Sequence, residues 1–237
     1  MPFVLLHPIG LDSHTWQFVE LSFIPSLVAH DFPGHGARIA DVSADLDAFA
    51  DDLLLRVPGP LHLAGVSMGG AVALHAALRH PDRVASIALV AAGAGSADRS
   101  TLDARADAVE RDGVEGVLEE TLERWFDGYA EVAPGGVDYA RSTLLAQDAE
   151  WFAGCWRALA RHDVVDRLGE IGVPVTVVHP VRDPAPLASK EALARAMQRG
   201  RLLVVDGPHM VQLACPAAFA DALRDHLEWV QAGSTGT

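Results

Sequence analysis

The sequence predicts an α/β fold: about six mostly parallel strands, helices on both faces of the sheet, and a helical insertion. Three observations carry this. Short, continuously apolar runs recur along the 237 residues, each followed by a segment of helical periodicity, the pattern of a parallel sheet buried on both faces. Residues 61–78 read as strand, glycine-rich turn and helix without interruption. From about 96 to 168 no strand pattern occurs, so the alternation is broken once by helices alone.

Taken in order, Phe3-Val4-Leu5-Leu6 is the first strand and His7-Pro8-Ile9-Gly10 a turn. A helical turn containing Trp16 leads to a second strand at 27–31 and a loop, Phe32-Pro33-Gly34-His35-Gly36. Residues 43–55 alternate Asp with Leu, Ala and Phe at helical spacing, with Ser43 as a suitable N-cap. Pro58-Gly59-Pro60 ends that helix before the third strand. Ser86 to Ala91 supplies the fourth strand, Val173 to Val178 the fifth and Arg201 to Val205 the sixth. Within the insertion, 101–112 and 114–126 read as helices, Pro134-Gly135-Gly136 as a break, and 139–145 and 148–162 as further helices.

Composition bounds the function. Half the residues are hydrophobic, and the chain is long enough for one large core with an insertion. No apolar run approaches the ~20 residues of a membrane span. No basic segment followed by an apolar one marks a signal peptide. A net charge of −14 argues against nucleic acid or an anionic membrane as partner. Cys155 and Cys215 lie far apart in unrelated contexts, so a reducing, cytoplasmic setting is expected. The eleven histidines show no metal-ligand spacing, and neither metal nor cofactor is expected.

The chemistry centres on Gly65-Val66-Ser67-Met68-Gly69-Gly70. It fits G-x-S-x-G in the strand–turn–helix context of a nucleophile elbow. Such a turn needs glycines because the backbone is strained and the helix lies close against the strand. It exposes the Ser67 hydroxyl at the carboxyl end of the sheet and puts the Met68 N–H at a helix N-terminus, where developing negative charge is stabilised. His209, in Asp206-Gly207-Pro208-His209-Met210 just past the sixth strand, is placed for general-base work. Trp125, Tyr129, Trp151 and Trp156 gather in the insertion. At least half of them are expected to glue the insertion to the main domain.

These segments together resemble the α/β-hydrolase fold superfamily of serine hydrolases with a helical cap. The resemblance rests on four motifs in order: His7-Pro8-Ile9-Gly10, Asp31-x-x-Gly34-His35-Gly36, the elbow at Ser67, and His209. His7-Pro8-Ile9-Gly10-Leu11-Asp12 followed by Trp16 is similar to the 3-oxoadipate enol-lactonase and carboxylesterase branch. Two departures stand out: Pro8 replaces the glycine that follows the first histidine in most relatives, and the usual N-terminal antiparallel strand pair is missing.

The resemblance implies a core of residues 1–95 and 169–237 and a cap of 96–168. It also implies the order Ser, acid, His. The acid then falls after the fifth strand, at Asp183, with Asp206 and Asp98 as competitors. Asp206 lies too near His209 in the chain to orient it comfortably. The second oxyanion donor falls at Ile9, since Pro8 has no N–H. Substrate contact is expected from His7, Gly10, Trp125, Trp151 and Trp156. Among the cap cations Arg124, Arg141, Arg157 and Arg161, one is a candidate partner for a substrate carboxylate, as an enol-lactone acid would need, while each taken singly is expected on the surface.

The implied function is cleavage of a small-molecule carboxylic ester or lactone by a monomer or homodimer. Carbon–carbon bond hydrolysis, a lyase, a cofactor-free oxygenase, a perhydrolase and a non-catalytic ligand sensor remain alternatives. Without the N-terminal pair the strand order becomes 2-1-3-4-5-6. The strand at 27–31 is then an edge, expected to be covered by a local helix or loop rather than by a second subunit.

Overall fold

The computed structural model describes residues 1–95 and 99–234. Its six parallel strands are β1 (Phe3–Leu6), β2 (Leu27–His30), β3 (Leu61–Val66), β4 (Val84–Val90), β5 (Val175–Arg182) and β6 (Gly200–Pro208). They lie in the order β2-β1-β3-β4-β5-β6, as the resemblance without the N-terminal strand pair implies. Alternation along each strand builds two cores. Val4, Leu6, Leu61, Leu63, Ile87, Leu89, Val175 and Val177 face one layer of helices. Phe3, Leu5, Ala64, Val66, Ala88, Val90 and Val178 face the other. Each such face is stabilised by removal of its apolar side chains from water.

On the first face lie α1 (Leu46–Arg56), α2 (Met68–Arg79) and α6 (Leu187–Ala196). On the second lie a 3-10 turn at Ser13–Phe18, the short α7 (Val211–Ala214) and α8 (Pro216–Ser234). Trp16 stacks on Phe219 there, with ring centroids 5.6 Å apart.

The N-cap of α1 is Asp45 rather than Ser43. Its carboxylate accepts from the N–H groups of Asp47 and Ala48 at 3.0 and 3.1 Å. The helix therefore starts two residues later than the apolar spacing suggests.

The edge strand is covered less than expected. Its burial alternates, with His30 buried but Leu27 and Ala29 exposed, and Leu27 keeps 38% of its surface. The Trp16 turn uses its apolar side on Phe219 and so leaves the start of β2 open. Shortness, at four residues, is the device that limits pairing with another chain.

Between β4 and β5 stand α3 (Arg99–Phe126), α4 (Pro134–Leu145) and α5 (Ala149–Arg161). In α3, Gly113 at φ 70°, ψ 176° divides two helical arms, matching the two predicted helices. The Pro134-Gly135-Gly136 segment is a start rather than a break. Proline sits in the first turn of α4, where its missing N–H has no partner to lose. Asp148 caps α5 by accepting from the Trp151 N–H at 2.8 Å. Phe152, Ala153, Cys155, Trp156, Ala158 and Ala160 form its buried face.

β5 and β6 run past their predicted ends. Pro180 lies inside β5 yet costs no ladder bond on the β4 side, because that pairing stops at Val178. The extension carries the chain to Asp183.

Candidate active site

The elbow is built by close contact. Ser67 adopts φ 52°, ψ −114°, a strained conformation for a residue with a Cβ. The turn survives because its flanking positions have no side chains. A Cβ on Gly65 would stand 2.2 Å from the Gly69 carbonyl carbon. One on Gly69 would stand 2.1 Å from the Leu6 carbonyl oxygen, and one on Gly70 2.4 Å from the Ala92 Cβ. These contacts also bring the loop after β1 against the start of α2. We expect Gly65→Ala to lower the thermal midpoint by roughly 5–10 °C, since backbone cannot yield as a flexible side chain does. Gly169→Ala, with nothing within 4 Å of the new Cβ, is the control. Equal midpoints in the two variants, read by calorimetry, would refute this account of the turn.

Ser67 Oγ lies 3.1 Å from His209 Nε2, and His209 Nδ1 lies 2.5 Å from Asp183 Oδ2. The three come from the ends of β3, β5 and β6, brought side by side by the strand order. Asp183 is buried. Burial alone would raise its carboxyl. The hydrogen bond and charge of His209, the Lys190 ammonium and the Ala185 N–H outweigh that and hold it below the usual carboxylate range. The Ala185 N–H donates to Oδ1 at 2.9 Å, fixing the carboxylate. His209 is followed by Met210, whose N–H donates to the Trp125 carbonyl at 3.1 Å. The inserted helices thus grip the histidine's own loop.

The sequence-predicted competitors for the acid are elsewhere. Asp206 accepts from the Tyr129 hydroxyl at 2.8 Å at the surface, and Asp98 lies outside the described residues. A second serine–histidine contact, Ser86 Oγ to His226 Nε2 at 2.9 Å, has a different character. His226 Nδ1 faces Thr176 Oγ1 at 2.8 Å rather than a carboxylate, and all three residues are fully buried.

A cavity of about 240 Å³ opens on Ser67 and His209. Trp125 and Trp156 line it from the insertion, joined by Leu102, Leu159 and Ala91 from the loop after β4. Ala91, at φ 49°, is another non-glycine residue in the left-handed region.

Three residues expected at the pocket stand apart from it. His7 has both ring nitrogens engaged, Nδ1 with the Pro8 carbonyl at 2.8 Å and Nε2 accepting from the Phe32 N–H at 3.1 Å. It ties two loops together. Gly10 sits beneath Phe152 and Leu144, and Trp151 covers Gly34 and Phe49. Ile9 and Met68 have buried side chains. Met68 is the first residue of α2, so its N–H has no acceptor within the helix.

Sequence reading missed Arg105, Lys190 and His162, all of which border the cavity. Lys190 is buried and donates to the Ala92 carbonyl at 2.7 Å. Burial lowers its ammonium from the ordinary lysine value, against the opposing pull of Asp183. His162 Nε2 lies 3.0 Å from the Gly93 carbonyl, and its Nδ1 lies 3.0 Å from His75 Nε2. Among the described residues, no group of three or more His, Cys, Asp or Glu is placed to hold a metal ion. Also among the described residues, no helix is long and apolar enough to cross a membrane.

Known proteins are similar to this chain along nearly its whole length. A pimeloyl-(acyl-carrier protein) methyl ester esterase of Chromobacterium violaceum is 34% identical over 242 positions, covering 95% of this chain and 93% of that protein. A 3-oxoadipate enol-lactonase 2 of Acinetobacter baylyi is 27% identical, covering 93% and 86%. The crystal structure of the enol-lactonase from Burkholderia xenovorans LB400 superposes with a TM-score of 0.89 at 26% identity, covering 96% of this chain and 91% of that one. The alpha/beta hydrolase family model matches residues 3–222. With that match, and a six-stranded parallel sheet carrying a helical insertion after its fourth strand, the chain belongs to the alpha/beta hydrolase family.

Proposed function

We propose that the protein is a serine hydrolase that cleaves a carboxylic ester or lactone through an acyl-enzyme on Ser67. The observation that carries this reading is the continuous line from Ser67 Oγ through His209 to the buried Asp183 carboxylate, beside a cavity. In the proposed mechanism His209 Nε2 takes the hydroxyl proton as Ser67 Oγ attacks the carbonyl carbon. Asp183 keeps the Nδ1–H tautomer and stabilises the imidazolium that forms. The N–H groups of Met68 and Ile9 receive the oxyanion. His209 then returns the proton to the leaving alkoxide, and water releases the acyl group by the same steps in reverse.

Ester or lactone is favoured as substrate by the relatives named for a methyl ester and an enol-lactone. The core of 1–95 and 169–237 supplies the reacting groups, and the cap of 96–168 supplies Trp125 and Trp156. Fluorophosphonate treatment tests the reading. It should leave one phosphonyl adduct on the peptide containing Ser67, blocked by prior incubation with a slow ester. No adduct, or an adduct on another serine, would overturn it.

A further inference from the structure

Two arginines of the cap are set apart from the rest. The chain has 32 acidic residues against 18 basic ones, and its surface arginines find carboxylates readily. Arg141 pairs with Glu119, and Arg157 with Asp107 and Glu110. Among the described residues, Arg105 and Arg124 have no carboxylate at hydrogen-bond distance. They project from the two arms of α3, on either side of Gly113, and both guanidiniums lie over the Trp156 ring. Their Cζ atoms are 5.1 and 5.8 Å from its centroid.

The Arg124 side chain is only 18% exposed, and the closest carboxylate, on the 83% exposed Glu120, is 3.8 Å away. Among the described residues neither guanidinium has a hydrogen-bond acceptor. Burial lowers both below the ordinary arginine value, and Arg124, also repelled by Arg105, falls to about 10. Two like charges held this close in a half-buried place repel, and the exposed Glu120 offsets this only in part. An anion between them would relieve both the repulsion and the missing hydrogen bonds.

Both arginines line the cavity that holds Ser67 and His209. We propose that Arg105 and Arg124 form the anion-recognising end of this cavity, so that the substrate is a small ester or lactone carrying a free carboxylate. Trp156 supports the guanidiniums from beneath by cation–π contact, leaving their N–H edges for the carboxylate. At about 240 Å³ the cavity suits a short acid ester rather than a long apolar chain. The inference rests on the acyl-transfer reading of Ser67 only for which end of the substrate reacts. The anion site stands on its own geometry.

The test compares mono-p-nitrophenyl glutarate with p-nitrophenyl butyrate, and glutarate with its uncharged analogue glutaramide. The wild-type protein should show a kcat/KM for the anionic ester roughly 10- to 100-fold above that for the neutral one, the factor expected for charge-assisted hydrogen bonds. Arg105→Gln and Arg124→Gln should bring that ratio towards one, chiefly through KM. By titration calorimetry on the wild-type protein, glutarate should bind at least about ten times more tightly than glutaramide.

An anionic ester cleaved no better than the neutral one, or equal binding of glutarate and glutaramide, would overturn the proposal. If neither ester is cleaved, it is the Ser67 reading that falls, and the calorimetric comparison still decides the anion site. That comparison needs no variant, so a variant that fails to fold changes nothing.

Discussion

Ser67→Ala should reduce turnover of an activated ester by a factor of about 10⁶, the loss seen when a serine nucleophile that acts as a unit with its base is removed. The thermal midpoint should stay within a few degrees of wild type. The reason lies in the elbow: alanine meets the same backbone strain at φ 52°, and no glycine contact is disturbed. Loss of activity together with loss of fold would therefore not count in favour. Steady-state kinetics beside calorimetry on one preparation separates the two. Retained turnover would place the chemistry elsewhere. Ser86 is a poor refuge for it, because its histidine partner faces a threonine hydroxyl and the group is closed off from solvent.

The second large effect is acid unfolding at mild pH. His7, His30, His35, His162 and His226 are buried, and burial is the leading cause that lowers each of them. His30, His35 and His162 fall to about 4, His226 to about 3, and His7 well below the ordinary value. A folded-state value below the unfolded one means that the unfolded chain binds more protons in between. Stability is complete above about pH 6.5 and is lost as pH falls towards 4, by up to about 1.4 kcal/mol per histidine per pH unit.

The four with stated values approach roughly 8 kcal/mol at pH 5, comparable with the whole stability of an ordinary domain, and His7 acts in the same direction. His7 and His35, with ring centroids 4.8 Å apart, are coupled, so the sum is an upper bound. The carboxylates add to this further down the scale. At Asp52 burial opposes the shift, but the hydrogen bonds from Arg38 and Arg56 prevail and lower it. Its share is present above the usual carboxylate range and disappears beneath it. Circular dichroism melts should show a level midpoint from pH 8 to 7 and a steep fall below 6. A midpoint unchanged between pH 7 and 5 would refute the account.

What could be read directly from the residues was whatever local chemistry dictates. The strands themselves followed from apolar runs of the right length, while their order came from the resemblance to the family sheet without its N-terminal pair. Ser67 followed from a glycine-rich turn that few other sequences can make and His209 from its place past the last strand, whereas Asp183 came only from the family order of serine, acid and histidine, with Asp206 and Asp98 left open. Boundaries were harder where one residue serves two roles. Pro134 breaks helices and also begins them, and only the approach of the chain decides between these. Pro180 marks a strand end unless the neighbouring strand has already stopped.

Pocket residues were the least legible, because residue type does not say which way a side chain faces. His7 and Trp151 have the chemistry of ligand contacts, yet packing spends them on loops. Arg105 and Lys190 resemble surface cations until the fold turns their positions inward. The signal for Arg105 was faint: an arginine in a helix arm whose neighbours at helical spacing, Thr101, Leu102, Ala108 and Val109, include no carboxylate.

The bond from the Met210 N–H to the Trp125 carbonyl bears on how such a protein can be re-engineered. In this chain the helices inserted between β4 and β5 are tied to the rest by a main-chain hydrogen bond one residue from His209. A transplanted cap that fails to present a carbonyl at that point leaves the imidazole's loop without its anchor, however well the new pocket suits its ligand. Diversification of the inserted helices in this scaffold therefore has a fixed point beside the histidine, set by main-chain position rather than by side-chain identity.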